Sequence, residues 1–120
     1  MSTGKRILIV EDEALIALDM ESILAEVGHT VAVATSVAEA DSILAAMDVD
    51  VAVLDYQLQD GTTLPLAGKL QGLRVPFVIC SGTTGLEELA DAFRNAPVLA
   101  KPFSTAAFLD AVTSAARRDH

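Results

Sequence analysis

Hydrophobic and polar residues follow two alternating patterns along the chain. The first is a short apolar run rich in Val and Ile, which occurs at residues 7–10, 31–34, 51–54, 77–80 and 98–100. Because these runs are continuously apolar, they predict strands that are covered on both faces, as the strands of a parallel sheet are.

The second pattern is a stretch of about ten to fifteen residues with helical spacing after each apolar run. In the first of these stretches the large apolar residues recur on one side, and acidic residues occupy the rest of the surface. The apolar residues predict the buried face of the first helix, and they are Leu15, Leu18, Ile23, Leu24 and Val27.

Residues typical of helix ends stand at the predicted boundaries. Gly28 ends the first helix, since glycine is favoured just after the last helical turn. Residues that cap helix N-termini open the other four helices. They are Ser36 with Glu39, Thr62 or Thr63 before Pro65, Thr84 with Glu87, and Ser104.

Five strands that alternate with five helices predict an α/β fold. Right-handed crossovers then place helices on both faces of a five-stranded parallel sheet. The length of 120 residues predicts one domain, residues 1–120, that needs no metal or disulfide to fold. Aromatic residues make up only 4% of the chain, so its core must be aliphatic.

Composition also restricts the partners and the compartment. The net charge is −9 and no Lys or Arg cluster exceeds a pair, so a nucleic-acid partner is not expected. The chain has no recognisable signal peptide and no apolar run long enough to span a membrane. A single cysteine, Cys80, cannot form an internal disulfide. We therefore expect a cytoplasmic protein that makes no membrane contact.

Polar residues follow four of the five predicted strands. The first strand is followed by Glu11-Asp12-Glu13, the third by Asp55, the fourth by Ser81-Gly82 and the fifth by Lys101-Pro102. Ligands of such sheets bind at the carboxyl ends of the strands, so these residues are expected to meet at one edge. Acidic residues are also concentrated in the N-terminal half of the chain, with twelve acidic and two basic residues among the first 60.

The residue types at this edge predict phosphoryl chemistry. Glu11, Asp12 and Asp55 would repel one another unless they shared a proton or a cation. Their oxygens suit Mg²⁺, which typically takes one or two carboxylates and retains several waters. Asp55 could act as a nucleophile toward phosphorus and form an aspartyl phosphate. Lys101 and the metal would stabilise the phosphoryl oxygens, and Ser81 would donate a hydrogen bond to one of them.

Taken together, these motifs resemble the receiver domain of two-component response regulators. The resemblance covers essentially the whole chain, and its motifs are residues 7–13, residues 55–61, Ser81-Gly82 and Lys101-Pro102-Phe103. It implies a (βα)5 flavodoxin-like, doubly wound fold with the strand order 2-1-3-4-5.

The resemblance also implies a role for each residue of the site. Asp55 would accept a phosphoryl group from a histidine kinase or a histidine phosphotransfer protein. Asp12, Asp55 and the backbone carbonyl of Gln57 would bind Mg²⁺, and Glu11 would act through water. Ser81 and Lys101 would contact the phosphoryl group and shift when it arrives. The protein would then be a phosphoacceptor with self-phosphorylating and slow self-dephosphorylating chemistry, not an enzyme.

A narrower resemblance concerns the fourth strand. Residues 76–82 with the Lys-Pro-Phe motif are similar to a subgroup of alphaproteobacterial receivers, in which the fourth strand reads Pro-Phe-x-Phe-Ala-Thr-Gly. This chain departs from that motif at three positions, where Ile79, Cys80 and Ser81 replace the Phe, Ala and Thr. Val98 stands where many receivers carry an aromatic residue. Switching would therefore depend on Ser81, Lys101 and the loop 82–86.

The chain ends soon after the fifth predicted helix, so we expect no output domain. We favour a natural stand-alone protein over a segment of a longer one. Such a receiver would change protein–protein interactions with an unknown target, or serve as a phosphate sink or shuttle, as a monomer or weak dimer. One candidate surface for dimerisation or target binding is formed by Leu86, Leu89, Phe93 and Val98, for which core packing is an equal explanation.

Other functions are weaker interpretations of the same residues. The main alternative is a receiver-like scaffold that binds partners without phosphorylation, although the complete acidic, hydroxyl and lysine set argues against it. A hydrolase of the haloacid dehalogenase type would need a second Asp where this chain has Gln57. A nucleotide-binding module would need a glycine-rich loop after the first strand. His29, Cys80 and Tyr56 are interpreted as a turn residue, a buried inert thiol and a packing residue.

Overall fold

Each of the five apolar runs forms a strand of one parallel sheet. The structure, a computed structural model, describes residues 4–82 and 96–117. The strands of the sheet are β1 (Arg6–Val10), β2 (Thr30–Ala34), β3 (Val51–Asp55), β6 (Phe77–Ser81) and β7 (Val98–Ala100). Two short antiparallel strands, β4 (Gln57–Leu58) and β5 (Gly61–Thr62), form a separate hairpin. The sheet order β2-β1-β3-β6-β7 is therefore the predicted order 2-1-3-4-5.

The helices of the described residues are α1 (Ala14–Glu26), α2 (Val37–Ala46), α3 (Leu64–Gly72) and α4 (Thr105–Ala116). The predicted fourth helix, with its Thr84–Glu87 cap, lies outside the described residues, as do residues 83–86 of the predicted switch loop. The same holds for Leu86, Leu89 and Phe93 of the candidate target surface. Helix α4 is thus the helix that the sequence predicts as the fifth.

The helices cover both faces of the sheet and divide the core into two layers. Alternate residues of each strand point to opposite faces. In β1, Leu8 and Val10 pack in the layer that contains residues of α2 and α3. Ile7 and Ile9 pack in the layer that contains residues of α1 and α4. The core is aliphatic as predicted, apart from Phe77 and Phe108.

The prediction that every strand is covered on both faces is correct for the inner strands only. Four of the five residues of β1, four of β3 and all five of β6 are buried. Strands β2 and β7 lie at the edges of the sheet and are mostly half-exposed. Apolar content therefore identified the strands but did not distinguish an edge from the centre.

The buried face of α1 agrees with the prediction at Leu24 and at the partly buried Ile23, but differs elsewhere. Ala17, Met20 and Leu24 face the core. Leu15 is 81% exposed, Leu18 is 59% exposed, and Val27 is exposed as well. The side that packs is therefore not the side with the most large apolar residues, so their spacing predicts a helix but does not select its buried face. Small Ala17 lies against the sheet, and the two leucines remain on the surface.

The helix ends agree with the sequence signals in most details. Gly28 has φ +96°, and the hydrogen bonds from Gly28 N–H to Ala25 and from His29 N–H to Leu24 form a Schellman end. Ser104 caps α4. Ser36 caps α2, but the Glu39 carboxylate accepts from the N–H of Thr35 at 2.7 Å, one residue before the predicted capping-box partner.

No helix within 4–82 or 96–117 combines the length and the apolar character needed to cross a membrane.

Candidate functional site

The candidate site lies at the carboxyl ends of four neighbouring strands. Glu11 and Asp12 follow β1, Asp55 ends β3, Ser81 ends β6, and Lys101 follows β7. These strands are adjacent in the sheet in that order, so all five residues are at one edge. The parallel arrangement thus places together residues that are up to 90 positions apart in the sequence.

Three carboxylates converge at this edge. One oxygen from each of Glu11, Asp12 and Asp55 lies within 4.8 Å of the other two. Glu11 is buried, whereas Asp12 and Asp55 are half-buried and open to solvent. An all-oxygen ligand set of this kind suits a hard divalent cation such as Mg²⁺.

Lys101 contacts two of the three acids. Its Nζ donates to Glu11 Oε1 at 2.7 Å and lies 3.4 Å from Asp55 Oδ2. The backbone N–H of Lys101 donates to the carbonyl of Ser81 at 2.8 Å, which joins the lysine to the end of β6. The next peptide bond, Lys101–Pro102, is cis. The ammonium group therefore partly neutralises the acid cluster from the β7 side.

The pKa values of the site reflect this crowding. Burial and the Glu11 charge raise the pKa of Asp55 from 3.8 to about 6, although Lys101 acts in the opposite direction. Burial alone would lower the pKa of Lys101, but its hydrogen bond to Glu11 and the charge of Asp55 raise it above its ordinary value. Without a bound cation, the ionised form of Asp55 is therefore disfavoured, while Lys101 stays charged.

Glu11 and Asp12, which both follow β1, differ in their hydrogen bonds. Glu11 Oε1 accepts from Lys101, and its Oε2 accepts from the N–H of Glu13 at 3.1 Å. Asp12 Oδ2 accepts from the N–H of Gln59 at 2.8 Å, and its Oδ1 has no hydrogen bond to any described residue. Asp12 thus has an oxygen available for a metal, whereas both oxygens of Glu11 are already hydrogen-bonded. This difference suits direct coordination by Asp12 and contact through water for Glu11.

The backbone carbonyl of Gln57 lies outside the hydrogen bonds of the hairpin. The N–H of Thr63 donates to the carbonyl of Tyr56 at 3.0 Å, and the next paired residues are Gln57 and Thr62. Antiparallel pairs alternate between hydrogen-bonded and non-hydrogen-bonded, so the Gln57–Thr62 pair is of the second kind. The Gln57 carbonyl is therefore directed away from its hairpin partner.

Three contacts of the loop after β3 were not predicted from the sequence. Asp60 accepts from the N–H of Val37 at 3.1 Å and thereby caps α2. Gln59 binds Asp12 through its backbone. Thr63 donates its hydroxyl to the carbonyl of Asp55 at 2.8 Å. The Asp60-Gly61 dipeptide is a turn signal that could have indicated the hairpin, but no sequence signal indicates its distant partners.

Ser81 and Cys80 occupy the end of β6 beside Asp55. Cys80 is paired with Asp55 in the register of the sheet, and Ser81 follows it. Both residues are buried, and burial raises the pKa of the Cys80 thiol to about 12. A neutral buried thiol agrees with the interpretation of Cys80 as inert. His29 lies away from this site, where its Nδ1 accepts from the N–H of Lys5 before β1.

Solved structures with this fold include several receiver proteins. SdrG from Sphingomonas melonis Fr1 is 34% identical, with a TM-score of 0.80 over 95% of this chain and 98% of SdrG. A response regulator receiver protein from Sinorhizobium medicae WSM419 is 28% identical, with a TM-score of 0.88 over 98% of both chains. A CheY-like receiver domain protein from Methanospirillum hungatei JF-1 has a TM-score of 0.88 at 22% identity, which supports the fold alone.

No individually curated protein shows significant similarity to the chain. The family model of the response regulator receiver domain matches residues 7–113, which include α1, α2 and α3, most of β1 and of α4, and every residue of the candidate site. The parallel sheet, its strand order and the acid cluster at its carboxyl edge agree with this match. The chain therefore belongs to the family of response regulator receiver domains.

Proposed function

We propose that this chain is a phosphoacceptor signalling module, in which Asp55 accepts a phosphoryl group from a histidine kinase or a histidine phosphotransfer protein in a Mg²⁺-dependent reaction. One observation carries the proposal. The Asp55 carboxylate is half-buried at the open edge of the sheet, beside two other acids and 3.4 Å from the Lys101 ammonium. A nucleophile, a set of cation ligands and a fixed positive charge are thus in one place.

The transfer step uses Asp55 as the nucleophile. A carboxylate oxygen of Asp55 forms a bond to phosphorus while the N–P bond of the donor phosphohistidine breaks. The leaving imidazole takes a proton from solvent. Lys101, which already lies against Asp55, offers hydrogen bonds to the transferred oxygens. Ser81, at the adjacent strand end, offers a hydroxyl donor to the same group.

We assign the Mg²⁺ ligands to Asp12, Asp55 and the Gln57 carbonyl, with Glu11 acting through water. Bound Mg²⁺ would neutralise charge on the acids and on the phosphoryl oxygens. The assignment is supported by the unbonded Oδ1 of Asp12 and by the direction of the Gln57 carbonyl. The two occupied oxygens of Glu11 support its indirect role.

We propose that a donor protein docks beside the site on the exposed side of α1. Leu15 and Leu18 are the two most exposed large apolar residues of the described chain. Leu15 borders a groove of about 410 Å³ that reaches Lys101. The groove is lined by Leu15, Ile16, Asp19, Lys101, Pro102 and Phe103. A donor histidine must reach Asp55, so an apolar surface that shares Lys101 with the site suits its carrier.

The proposed consequence of phosphorylation is a change in protein binding. The backbone N–H of Lys101 donates to the carbonyl of Ser81. A shift of the Lys101 ammonium group from Glu11 toward a phosphoryl group would therefore change the conformation at the ends of β6 and β7. Val98 in β7 offers no aromatic ring to rotate. The module would act on another protein or as a phosphate sink or shuttle. Its cytoplasmic location and its monomeric or weakly dimeric state stay predictions.

The experiment that tests this function is intact mass spectrometry after incubation with acetyl phosphate. We expect the wild-type protein to gain one phosphoryl group only when Mg²⁺ is present. The Asp55→Asn variant should gain none, whereas Asp48→Asn, a matched change on an exposed loop, should behave as wild type. Phosphorylation of Asp55→Asn would contradict the assignment of the acceptor.

A negative result with acetyl phosphate would be examined with beryllofluoride, a phosphoryl mimic. Mg²⁺-dependent binding of beryllofluoride would indicate a competent site that requires a protein donor. If the wild-type protein bound neither reagent, the scaffold function without phosphorylation would replace the phosphoacceptor function.

A further inference from the structure

Thr63 stands between the hairpin and α3, and the sequence predicts only that it opens the helix. Its side chain does not cap α3. The hydroxyl donates instead to the backbone carbonyl of Asp55 at 2.8 Å and lies 3.3 Å from the carbonyl of Tyr56. The residue is buried, with 1% of its surface exposed. The buried hydroxyl of Thr63 therefore bonds to the end of β3 and not to the N-terminus of α3.

The contact falls where the pairing of β3 with β1 stops, although β3 still pairs with β6 there. The register between β1 and β3 ends at Leu54, one residue before Asp55. Just past this point the Thr63 hydroxyl donates a hydrogen bond to the carbonyl of Asp55. The N–H of Thr63 donates to the carbonyl of Tyr56 at 3.0 Å. Two successive carbonyls are therefore held by one residue.

These two bonds constrain the backbone that carries the site. The peptide group after Asp55 is held by the bond from the Thr63 hydroxyl to its carbonyl and by the bond from its N–H, that of Tyr56, to the carbonyl of Cys80 at 2.9 Å. The peptide group after Tyr56 is held by the bond from Thr63 N–H to its carbonyl. The Gln57 carbonyl is the next one along the chain, so the fixed peptide groups set the point from which it projects. Loss of the hydroxyl would release the first of these carbonyls and leave the segment 55–57 with one anchor fewer.

We infer that Thr63 is a positioning residue of the acceptor site, which holds Asp55 and the Gln57 carbonyl in the arrangement that binds Mg²⁺ and the phosphoryl group. The inference rests on the proposed function. Groups that orient metal ligands from outside the coordination sphere typically change metal affinity by about 10- to 100-fold when they are removed. A hydroxyl that only satisfied a buried carbonyl would affect the stability of the fold without changing the affinity of the folded protein.

The test measures Mg²⁺ affinity by NMR titration of backbone amides, well below the melting temperature of every variant. We expect Thr63→Val, which is nearly isosteric but lacks the hydroxyl, to weaken Mg²⁺ binding about 10-fold or more. Thr63→Ser keeps the hydroxyl and should restore most of the affinity. Thr62→Val is the matched control, because the Thr62 hydroxyl makes no hydrogen bond to any residue in 4–82 or 96–117 and should leave the affinity unchanged.

Beryllofluoride binding is the second measurement and should follow the same order of variants. If Thr63→Val does not fold, Thr63→Ala replaces it, since alanine also lacks the hydroxyl and brings no extra methyl group against the two carbonyls. Equal affinities of wild type and the hydroxyl-free variant would overturn the positioning role and leave the proposed function intact. Failure of the wild-type protein to bind Mg²⁺ and beryllofluoride would overturn both.

Discussion

Lys101 and Glu11 form the shortest ion pair of the described structure, with 2.7 Å between Nζ and Oε1. Glu11 is almost fully buried, and the Lys101 side chain is 19% exposed. The distance from Lys101 to Asp55, the proposed acceptor, is longer, at 3.4 Å. In the protein without a bound cation, the lysine therefore serves first as the counter-ion of a buried carboxylate. Its role toward a phosphoryl group would require it to leave this partner in part.

The ion pair predicts that Lys101→Gln is strongly destabilising. The variant leaves the buried Glu11 carboxylate without its cation, and removal of one partner from a buried pair typically costs about 3–5 kcal/mol. Because Lys101 is partly exposed, we expect a smaller loss, about 2–3 kcal/mol, in the free energy of unfolding. Chemical denaturation without Mg²⁺ measures it.

The matched control for this prediction is Lys69→Gln. Lys69 Nζ lies 3.1 Å from Asp41 Oδ1, but both side chains are nearly half exposed. Exposed pairs of this kind contribute about 0–1 kcal/mol, so we expect a loss below about 1 kcal/mol. Similar losses in the two variants would show that burial of Glu11 does not determine the strength of the pair.

The raised pKa of Asp55 predicts a pH-dependent stability. An unfolded chain releases this proton near its ordinary pKa of 3.8, whereas the folded chain retains it until about pH 6. Between these values the folded state binds more protons, so the stabilising contribution of Asp55 is complete below about pH 4 and is lost as the pH rises to about 6. The ionised acceptor then destabilises the metal-free protein at neutral pH.

Asp55→Asn should remove this penalty. At pH 8 without Mg²⁺ we expect the variant to be more stable than wild type by about 1–2 kcal/mol, which is several degrees in melting temperature. At pH 4 the two proteins should melt at nearly the same temperature. Thermal melts at the two pH values, with Asp48→Asn as the control, measure the difference. A variant that is less stable than wild type at pH 8 would contradict the penalty that burial and the Glu11 charge impose on ionised Asp55.

Mg²⁺ should stabilise the wild-type protein through the same acids. A ligand at ten times its dissociation constant adds about 1.4 kcal/mol to the stability of the folded state. For a domain of this size that is a rise of about 5 °C in melting temperature. Asp12→Asn should lose most of the rise, because it removes the charge of an acid in the cluster whose Oδ1 makes no hydrogen bond to any described residue. An equal rise in wild type and Asp12→Asn would place the metal elsewhere.

The exposed leucines of α1 predict a selective defect in transfer from a protein donor. We expect the double variant Leu15→Ala, Leu18→Ala to slow phosphotransfer from a histidine phosphotransfer protein about 10-fold or more, since full burial of a Leu side chain contributes about 1.5–3 kcal/mol. Labelling by acetyl phosphate should not change, because the acceptor site is intact. Rates with both donors, measured by intact mass, distinguish docking from chemistry.

The control for docking is Val27→Ala, which truncates an exposed apolar residue at the other end of α1. It should leave both rates unchanged. Equal slowing by Val27→Ala would indicate a general effect on the helix. Slowing of the acetyl phosphate reaction by the leucine variant would show that these residues support the acceptor site.

The strands illustrate what local pattern can predict. Each apolar run matches its strand to within one residue at either end, because a buried parallel strand needs side chains that are apolar on both faces. Helix ends were predictable for a similar reason, since the left-handed turn at Gly28 and the cap at Ser104 depend on the residue that occupies them. The alignment of acids and lysine at one edge followed from the parallel topology.

The sequence by itself determined the succession of strands and helices and the residue types at the strand ends, because hydrophobic period and capping chemistry are properties of neighbouring residues. Only the tertiary structure decided which side of α1 is exposed, that Lys101 pairs first with Glu11, and that Thr63 binds the end of β3. These contacts join distant segments whose packing is a compromise among many elements. The partner of a hydroxyl or an ammonium group is the buried oxygen that this packing places within hydrogen-bond distance. Local sequence patterns do not predict that partner.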